Sequence, residues 1–573
     1  MRAFPRECVL APLFKLFEAT LELLVPFVMA AIIDVGIKTN DKEYILWMSL
    51  LLVLFASLGY TAAVVAQYFS ARAGVGISTR IRHDLMAKIH TLSYEKLDTI
   101  GISTVITRMT SDTNQVQTGV NLTLRLLLRS PFVVFGAMIM AYIIDVRSAL
   151  VFTGVIVILS IVVFGIIFIT VPMHKKSQKK LDSVTVSTRE NLTGVRVIRA
   201  FVGEGDEECS FRENTKALEK SQRAVGRITG LLNPLTVLIV NLAVVLLLFV
   251  GAIRVNVGAI SQGEVVALYN FMALILTELV KFANLIITIT KSVASAHRIE
   301  AVLSAPSEHI NYKVRSLDKI TRPLSIRFEN VSLKYNGAGD YSLKNITFKL
   351  DGGKTLGIIG GTGSGKTSLV NLIPRFYPAS TGRVFVGGID VCELSLEELR
   401  KSIGVVPQNA VLFRGSVRSN LLWGNPDASD KELLCALKSA AALDIIEGKD
   451  GLDTEIMEGG VNLSGGQRQR LSIARALVKK PKILILDDSA SALDYATESL
   501  LKDEIASLDF TSTRVIVSQR ASSVMSADLI LVLDDASLVG AGTHEELLKT
   551  CEVYREIYNS QFTSSDADGK EDK

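Results

Sequence analysis

The chain has 573 residues, too many for one ordinary domain, and a net charge of +4, too small to imply a nucleic-acid partner. Its five cysteines, Cys8, Cys209, Cys392, Cys435 and Cys551, are scattered without a C-x-x-C pair, which argues for reduced thiols and against a disulfide frame. Hydrophobic residues make up 49% of the chain but are spread unevenly: long apolar runs fill roughly the first 300 positions, and the remainder reads as a soluble α/β protein. The pattern predicts a membrane half followed by an aqueous half.

In chain order, residues 1–12 are amphipathic and read as a short interfacial segment; no cleavable signal is visible. Residues 13–297 read as a transmembrane domain. A hydrocarbon core of about 30 Å needs roughly 20 apolar helical residues, and six segments qualify, at about 13–35, 45–70, 122–144, 148–172, 230–252 and 264–289. Short connections alternate with long ones. The long connections hold eighteen Lys or Arg and the short ones four, which places the long connections and both termini in the cytosol of a multi-pass plasma-membrane protein. No proline falls between Pro26 and Pro131, so a helix over about 45–95 is expected, bent at most by Gly74 and Gly76. At 1.5 Å per residue it is roughly 75 Å long and reaches well beyond the bilayer.

Polar residues inside the spans are costly and usually face a cavity or a partner. They include Glu18 and Glu22 in the first span, Asn241 in the fifth, and Asn270, Glu278, Lys281 and Asn284 in the sixth. One reading is a polar, partly acidic cavity that favours cationic amphiphiles. The other is internal pairing, with Glu278 and Lys281 bridged at i, i+3.

A polar linker over 298–323 leads to an α/β domain over 324–561, and a charged, polar tail over 562–573 reads as disordered. The segment 360–368 fits G-x-x-x-x-G-K-[ST], a phosphate-binding P-loop. Its glycines let backbone N–H groups converge on phosphates, Lys366 adds a point charge, and the Thr367 hydroxyl can ligate Mg²⁺. Residues 463–467, Leu-Ser-Gly-Gly-Gln, open a helix whose N-terminus suits a phosphate. Residues 482–487 form a buried strand ending in a carboxylate, Asp487.

Together these motifs resemble the nucleotide-binding domain of an ABC ATPase. With the six spans ahead of it, the chain resembles one half of a type IV ABC exporter over about residues 10–560. The resemblance implies ATP and Mg²⁺ as ligands. Gly361, Thr362, Gly363, Ser364, Gly365, Lys366, Thr367 and Ser368 are then the phosphate loop, with Tyr335 stacked on adenine. Thr367, Gln408 and Asp487 are the groups around Mg²⁺. Ser464, Gly465, Gly466 and Gln467 are the ABC signature, which meets ATP held by the other subunit of a head-to-tail dimer, and Asp494 lies in the loop crossing that dimer. Segments 94–101, 106–112 and 190–201 resemble the intracellular loops whose transverse helices dock on nucleotide-binding domains.

Two positions depart from the family pattern. The residue after Asp487, normally the Glu that polarises the attacking water, is Asp488, and Gln519 stands where the switch histidine is expected. An aspartate falls more than about 1 Å short, a displacement worth about 100-fold in rate, and an amide carries neither charge nor proton. This combination resembles the degenerate-site subunit of a heterodimeric bacterial multidrug ABC exporter. The expected partners are a second half-transporter, the bilayer and a small amphiphilic substrate. The alternatives are an ATP-gated channel or sensor, and a homodimer with two slow sites.

Overall fold

The computed structural model describes residues 4–308, 316–317, 323–448, 450–508 and 510–562. Of the expected tail over 562–573, residues 563–573 lie outside the described residues, as do 309–315 and 318–322 of the expected linker over 298–323 and the first three residues of the interfacial segment; residues 298–303 and 562 belong to helices.

The chain divides into two compact units, Met1–His90 with Ile102–Ala305, and Thr91–Gly101 with Pro306–Lys573. The first unit is all-helical: α1 (Pro5–Ala31, extended by a π-turn over Ile32–Ile37) and α2 (Lys42–Thr91) come before the break. After it come α4 (Ile102–Thr107), α5 (Thr113–Leu126), α6 (Arg129–Ile144), α7 (Val146–Thr193), α8 (Val195–Ala200), α9 (Glu204–Gly230), α10 (Leu232–Asn256) and α11 (Gln262–Leu303); the intervening α3 (Tyr94–Ile100) belongs to the second unit. Six helical stretches among the described residues are long and apolar enough to cross a membrane. The long helix expected over 45–95 is α2, unbroken at Gly74 and Gly76 for 50 residues, about 75 Å. No break separates residues 5–12 from the rest of α1, which carries Pro12 and Pro26 inside it.

Helix starts follow local chemistry. The Asp145 carboxylate accepts from the Ser148 N–H at the head of α7, and Ser261 and Glu264 form a reciprocal capping box at the head of α11. The core of this unit packs Ala19, Leu23, Val133, Ala137, Phe152, Leu268, Phe271 and Met272, with alanines letting the helices approach closely. The apolar part of α2 is almost wholly uncovered, with Leu46, Trp47, Leu50 and Val53 exposed. In water that face would be intolerable; lipid or a second subunit covers it.

The second unit is an α/β domain. Its strands are β1 (Ile326–Leu333), β2 (Leu343–Leu350), β3 (Thr355–Gly360), β4 (Thr381–Val386), β5 (Ile389–Asp390), β6 (Ile403–Val406), β7 (Gly415–Ser416), β8 (Glu455–Ile456), β9 (Ile483–Asp487), β10 (Thr513–Val517), β11 (Leu529–Asp534) and β12 (Ser537–Gly542). Its helices are α12 (Lys366–Leu372), α13 (Leu396–Ser402), α14 (Val417–Leu421), α15 (Asp430–Ser439), α16 (Gly465–Val478), α17 (Tyr495–Ala506), α18 (Ala521–Val524), α19 (His544–Thr550) and α20 (Glu552–Phe562). The main sheet runs β5-β4-β1-β2-β12-β11-β3-β10-β9-β6. β11, β3, β10, β9 and β6 are mutually parallel. Covered on both faces, they read as continuous apolar runs, and all five residues of β9 are buried. Val517 pairs with both Ile358 and Asp487, so the carboxyl ends of β3, β10 and β9 lie side by side. A second core, built on Leu421, Leu437, Ile473 and Leu477, carries α14–α16.

Candidate nucleotide site and membrane charge network

The site forms where the chain leaves those carboxyl ends, the usual ligand position of a parallel α/β sheet. Gly365 has φ +98°, and a Cβ there would stand 2.5 Å from the Ser342 carbonyl oxygen, so only glycine fits this turn of the loop. Lys366 curls back over the loop, its Nζ donating to the carbonyls of Gly360 (2.8 Å) and Gly361 (2.6 Å). The Thr367 hydroxyl donates to Asp487 Oδ1 at 3.2 Å, and Gln408 Nε2 lies 3.4 Å from Asp488 Oδ2. Asp488 adopts φ +47°, in the left-handed region that aspartate enters more readily than most non-glycine residues; its N–H is held by the Val517 carbonyl at 3.0 Å. A cavity of about 220 Å³ is lined by the phosphate loop, Gln408, Asp487, Asp488 and Gln519.

Burial pushes the Asp487 carboxyl above its ordinary range despite the Thr367 bond, and burial likewise raises Asp488. Burial lowers the Lys366 ammonium against the pull of both carboxylates. Two adjoining carboxylates, a hydroxyl already on one of them and a lysine held by two loop carbonyls and the Ser364 hydroxyl form a donor set that fits a divalent cation and a polyphosphate.

Tyr335 flanks the loop, its hydroxyl donating to Ser368 Oγ at 3.1 Å. Its ring meets Tyr377 edge-on at 4.9 Å, and the Tyr377 hydroxyl donates to Asp98 Oδ2 of α3 at 2.5 Å. Tyr94 of α3 packs against Phe376, ring centres 4.7 Å apart. Sequence reasoning singled out 94–101 as a docking segment but missed Tyr377 and Phe376, which no motif marks.

The remaining expected residues do not line this cavity. Ser464 caps α16 in a reciprocal box with Gln467, whose N–H it accepts at 3.2 Å; Gly465 and Gly466 follow in the first turn. Asp494 caps α17 and accepts from the Thr497 N–H at 2.7 Å; it lines an adjoining cavity that also borders Asp488 and Gln519.

In the membrane unit, Glu278 and Lys281 pair at 2.9 Å as the internal-pairing reading expected. That reading missed the hub. Arg129 of α6 binds Glu278, and its Nη2 donates to Glu22 at 2.5 Å; Ser130 donates to the other Glu278 oxygen at 2.8 Å. Lys15 meets Glu18 at 2.5 Å. Three cations face three carboxylates, so of the two readings the charges of this cluster fit internal pairing and not a partly acidic patch. Arg129 was recoverable: it is a charge inside the segment 122–144, the same signal that marked Glu278.

Phosphate loop, signature helix and six-span helical domain on one chain define an ABC ATPase fused to an exporter-type membrane domain. The ABC transporter transmembrane region matches residues 8–279, and the ABC transporter ATP-binding family matches 343–491. The chain is 34% identical to the uncharacterized ABC transporter ATP-binding protein YfiB of Bacillus subtilis, covering 96% of each. It is 29% identical to an ATP-dependent lipid A-core flippase of Albidiferax ferrireducens, covering 98% of this chain and 97% of that protein. Among solved structures, a bacterial Atm1-family ABC exporter with ATP bound superimposes with a TM-score of 0.80 at 24% identity, over 98% of each chain. The chain belongs to the ABC transporter family, as a half-transporter with one membrane domain and one nucleotide-binding domain. A half-transporter requires a second half, and its activity is ATP-driven export.

Proposed function

We propose that the protein is one subunit of a heterodimeric exporter of amphiphilic compounds, drugs or lipids, in which its own Walker motifs form a slowly hydrolysing ATP site. The nucleotide-binding domain and both termini face the cytosol. The observation that carries this reading is the contrast within one cleft. The groups that hold phosphates are complete, with Lys366 over the loop and Thr367 on Asp487, while Asp488 and Gln519 stand where the family has Glu and His.

Lys366 and the loop N–H groups bind the phosphates, and Tyr335 takes the adenine. Thr367 and Asp487, with Gln408, would hold Mg²⁺, which when bound neutralises charge between the phosphates. Asp488 is left short of the water it should orient, and the Gln519 amide donates a hydrogen bond without moving a proton. Ser464, Gly465, Gly466 and Gln467 complete the partner's site, where most turnover occurs. Closure of the two nucleotide-binding domains, passed through 94–101 and 190–201, turns the substrate cavity outward.

The test is a ranking. In the assembled transporter, Ser464→Ala with Gly466→Ala should reduce ATP turnover and substrate transport more than Asp488→Ala does. The reverse ranking refutes the heterodimer reading and favours two equivalent slow sites.

A further inference from the structure

Helix counting puts three charged positions at one depth. Glu22 lies fifteen residues from the Ile37 end of its stretch, Arg129 fifteen from Ile144 and Glu278 sixteen from Gln262, so each stands about 22–24 Å from its short-loop end. In a core of about 30 Å, that depth lies inside the hydrocarbon, toward the side of the long helical extensions. Here the charges form a chain of alternating sign, Glu22–Arg129–Glu278–Lys281. The middle is sealed: the Arg129 and Glu278 side chains are 7% and 2% exposed. The ends are open, with Glu22 36% and Lys281 45% exposed. Arg129 Nε is buried without a hydrogen bond, Glu18 standing 3.9 Å away.

A charge turned toward lipid tails at this depth is prohibitively costly, so the open ends face the space enclosed with the second half-transporter. We infer that Glu22 and Lys281 form the head-group site for a zwitterionic amphiphile, one carrying both an ammonium and a phosphate or carboxylate. This inference rests on the export reading above and names its substrate class. The four charges of the chain sum to zero, so a purely cationic ligand pairs with Glu22 and brings an unbalanced positive charge into the cavity. A purely anionic ligand pairs with Lys281 and brings an unbalanced negative one. A zwitterion meets both ends at once, ammonium to Glu22 and anion to Lys281, and leaves the inner Arg129–Glu278 pair intact.

The experiment uses the assembled transporter in proteoliposomes with three fluorescent diacyl probes that differ only in head group: phosphatidylcholine, phosphatidylglycerol and a trimethylammonium-propane lipid. ATP-dependent translocation is read by protection from dithionite. Phosphatidylcholine should move at least about fivefold faster than either other probe, the discrimination expected of one partly exposed charge pair. Glu22→Gln should shift preference toward phosphatidylglycerol and Lys281→Gln toward the cationic lipid, each by about five- to tenfold. The charge-conserving variants Glu22→Asp and Lys281→Arg should keep the phosphatidylcholine preference. A cationic preference in the unaltered protein, equal movement or no movement of the three probes, or equal losses for all three in both single variants overturns the inference while leaving ATP-driven export standing. If ATP hydrolysis does not fall on Lys366→Ala in the same preparation, the export reading fails first.

Discussion

Tyr377 offers a clean perturbation, because Tyr377→Phe removes one oxygen and leaves every ring in place. The lost interaction is the hydrogen bond to Asp98 Oδ2 at 2.5 Å, which ties the nucleotide-binding domain to α3. Burial, together with that carboxylate, holds the Tyr377 phenol well above its ordinary value, so the phenol keeps its proton and donates it to Asp98. Charge-assisted bonds contribute about 1.5–3 kcal/mol when both partners stay dry. Asp98 is exposed and rehydrates when its donor goes, so about 1 kcal/mol is the appropriate figure. That is roughly a fivefold fall in the equilibrium constant for docking α3. The tilted packing of Tyr94 on Phe376 and the Arg400 guanidinium 5.4 Å above the Phe376 ring remain. Hydrolysis in the variant should therefore stay within about twofold, while substrate moved per ATP falls by up to about fivefold, both measured in the same proteoliposomes. Asp98→Ala should produce the same loss, and the double variant should be no worse than either single one, as expected of one shared interaction. Additive losses, or unchanged transport per ATP, would refute the reasoning.

The altered catalytic positions give a second test: if, as proposed, ATP held here over several turnovers keeps the two nucleotide-binding domains in partial contact, Asp488→Glu with Gln519→His should raise hydrolysis at this site by about 100-fold without improving transport. Trapped-nucleotide occupancy at each site checks it, and equal turnover at both sites of the unaltered protein would sink it. In the membrane unit, Arg129→Met leaves Glu278, 2% exposed, as a buried carboxylate with Lys281 as its remaining cation, and should cost about 3–5 kcal/mol, read as a fall in the melting temperature of the purified transporter; Arg129→Lys should cost less.

How much was legible in the sequence depends on how locally each feature is encoded. The phosphate loop, Asp487 and the helix opened by Ser464 are contiguous strings whose backbone geometry follows from their own residues. Gly365 is glycine because a carbonyl lies where its side chain would go, and that requirement shows in the string itself. The long helix α2 was legible for the same reason, since an unbroken apolar period without proline has only one regular solution in a bilayer. Contacts between distant residues were not legible. Asp98 and Tyr377 are 279 positions apart, and no periodicity or spacing links them. Arg129 and Glu278 are 149 apart, and with Arg129 overlooked the spans left a partly acidic cavity and internal pairing equally open.

The departure at Asp488 and Gln519 was legible as identity, but its consequence depends on a site that one chain does not complete. Phosphate loop, Gln408, Asp487, Asp488 and Gln519 line one cleft, while Ser464–Gln467 cap a helix elsewhere in the same domain. Each composite ATP site of a head-to-tail pair therefore takes its Walker half from one chain and its signature half from the other. In a homodimer both sites contain Asp488 and Gln519, and every turnover passes through a short carboxylate. In a heterodimer the two substitutions fall in one site and the intact signature in the other, so a single chain contributes a retentive site and helps build a fast one. The physical difference is a ratio: two equal slow sites release nucleotide at one rate, whereas a retentive site beside a fast one gives two rates separated by about the 100-fold that a displaced carboxylate costs.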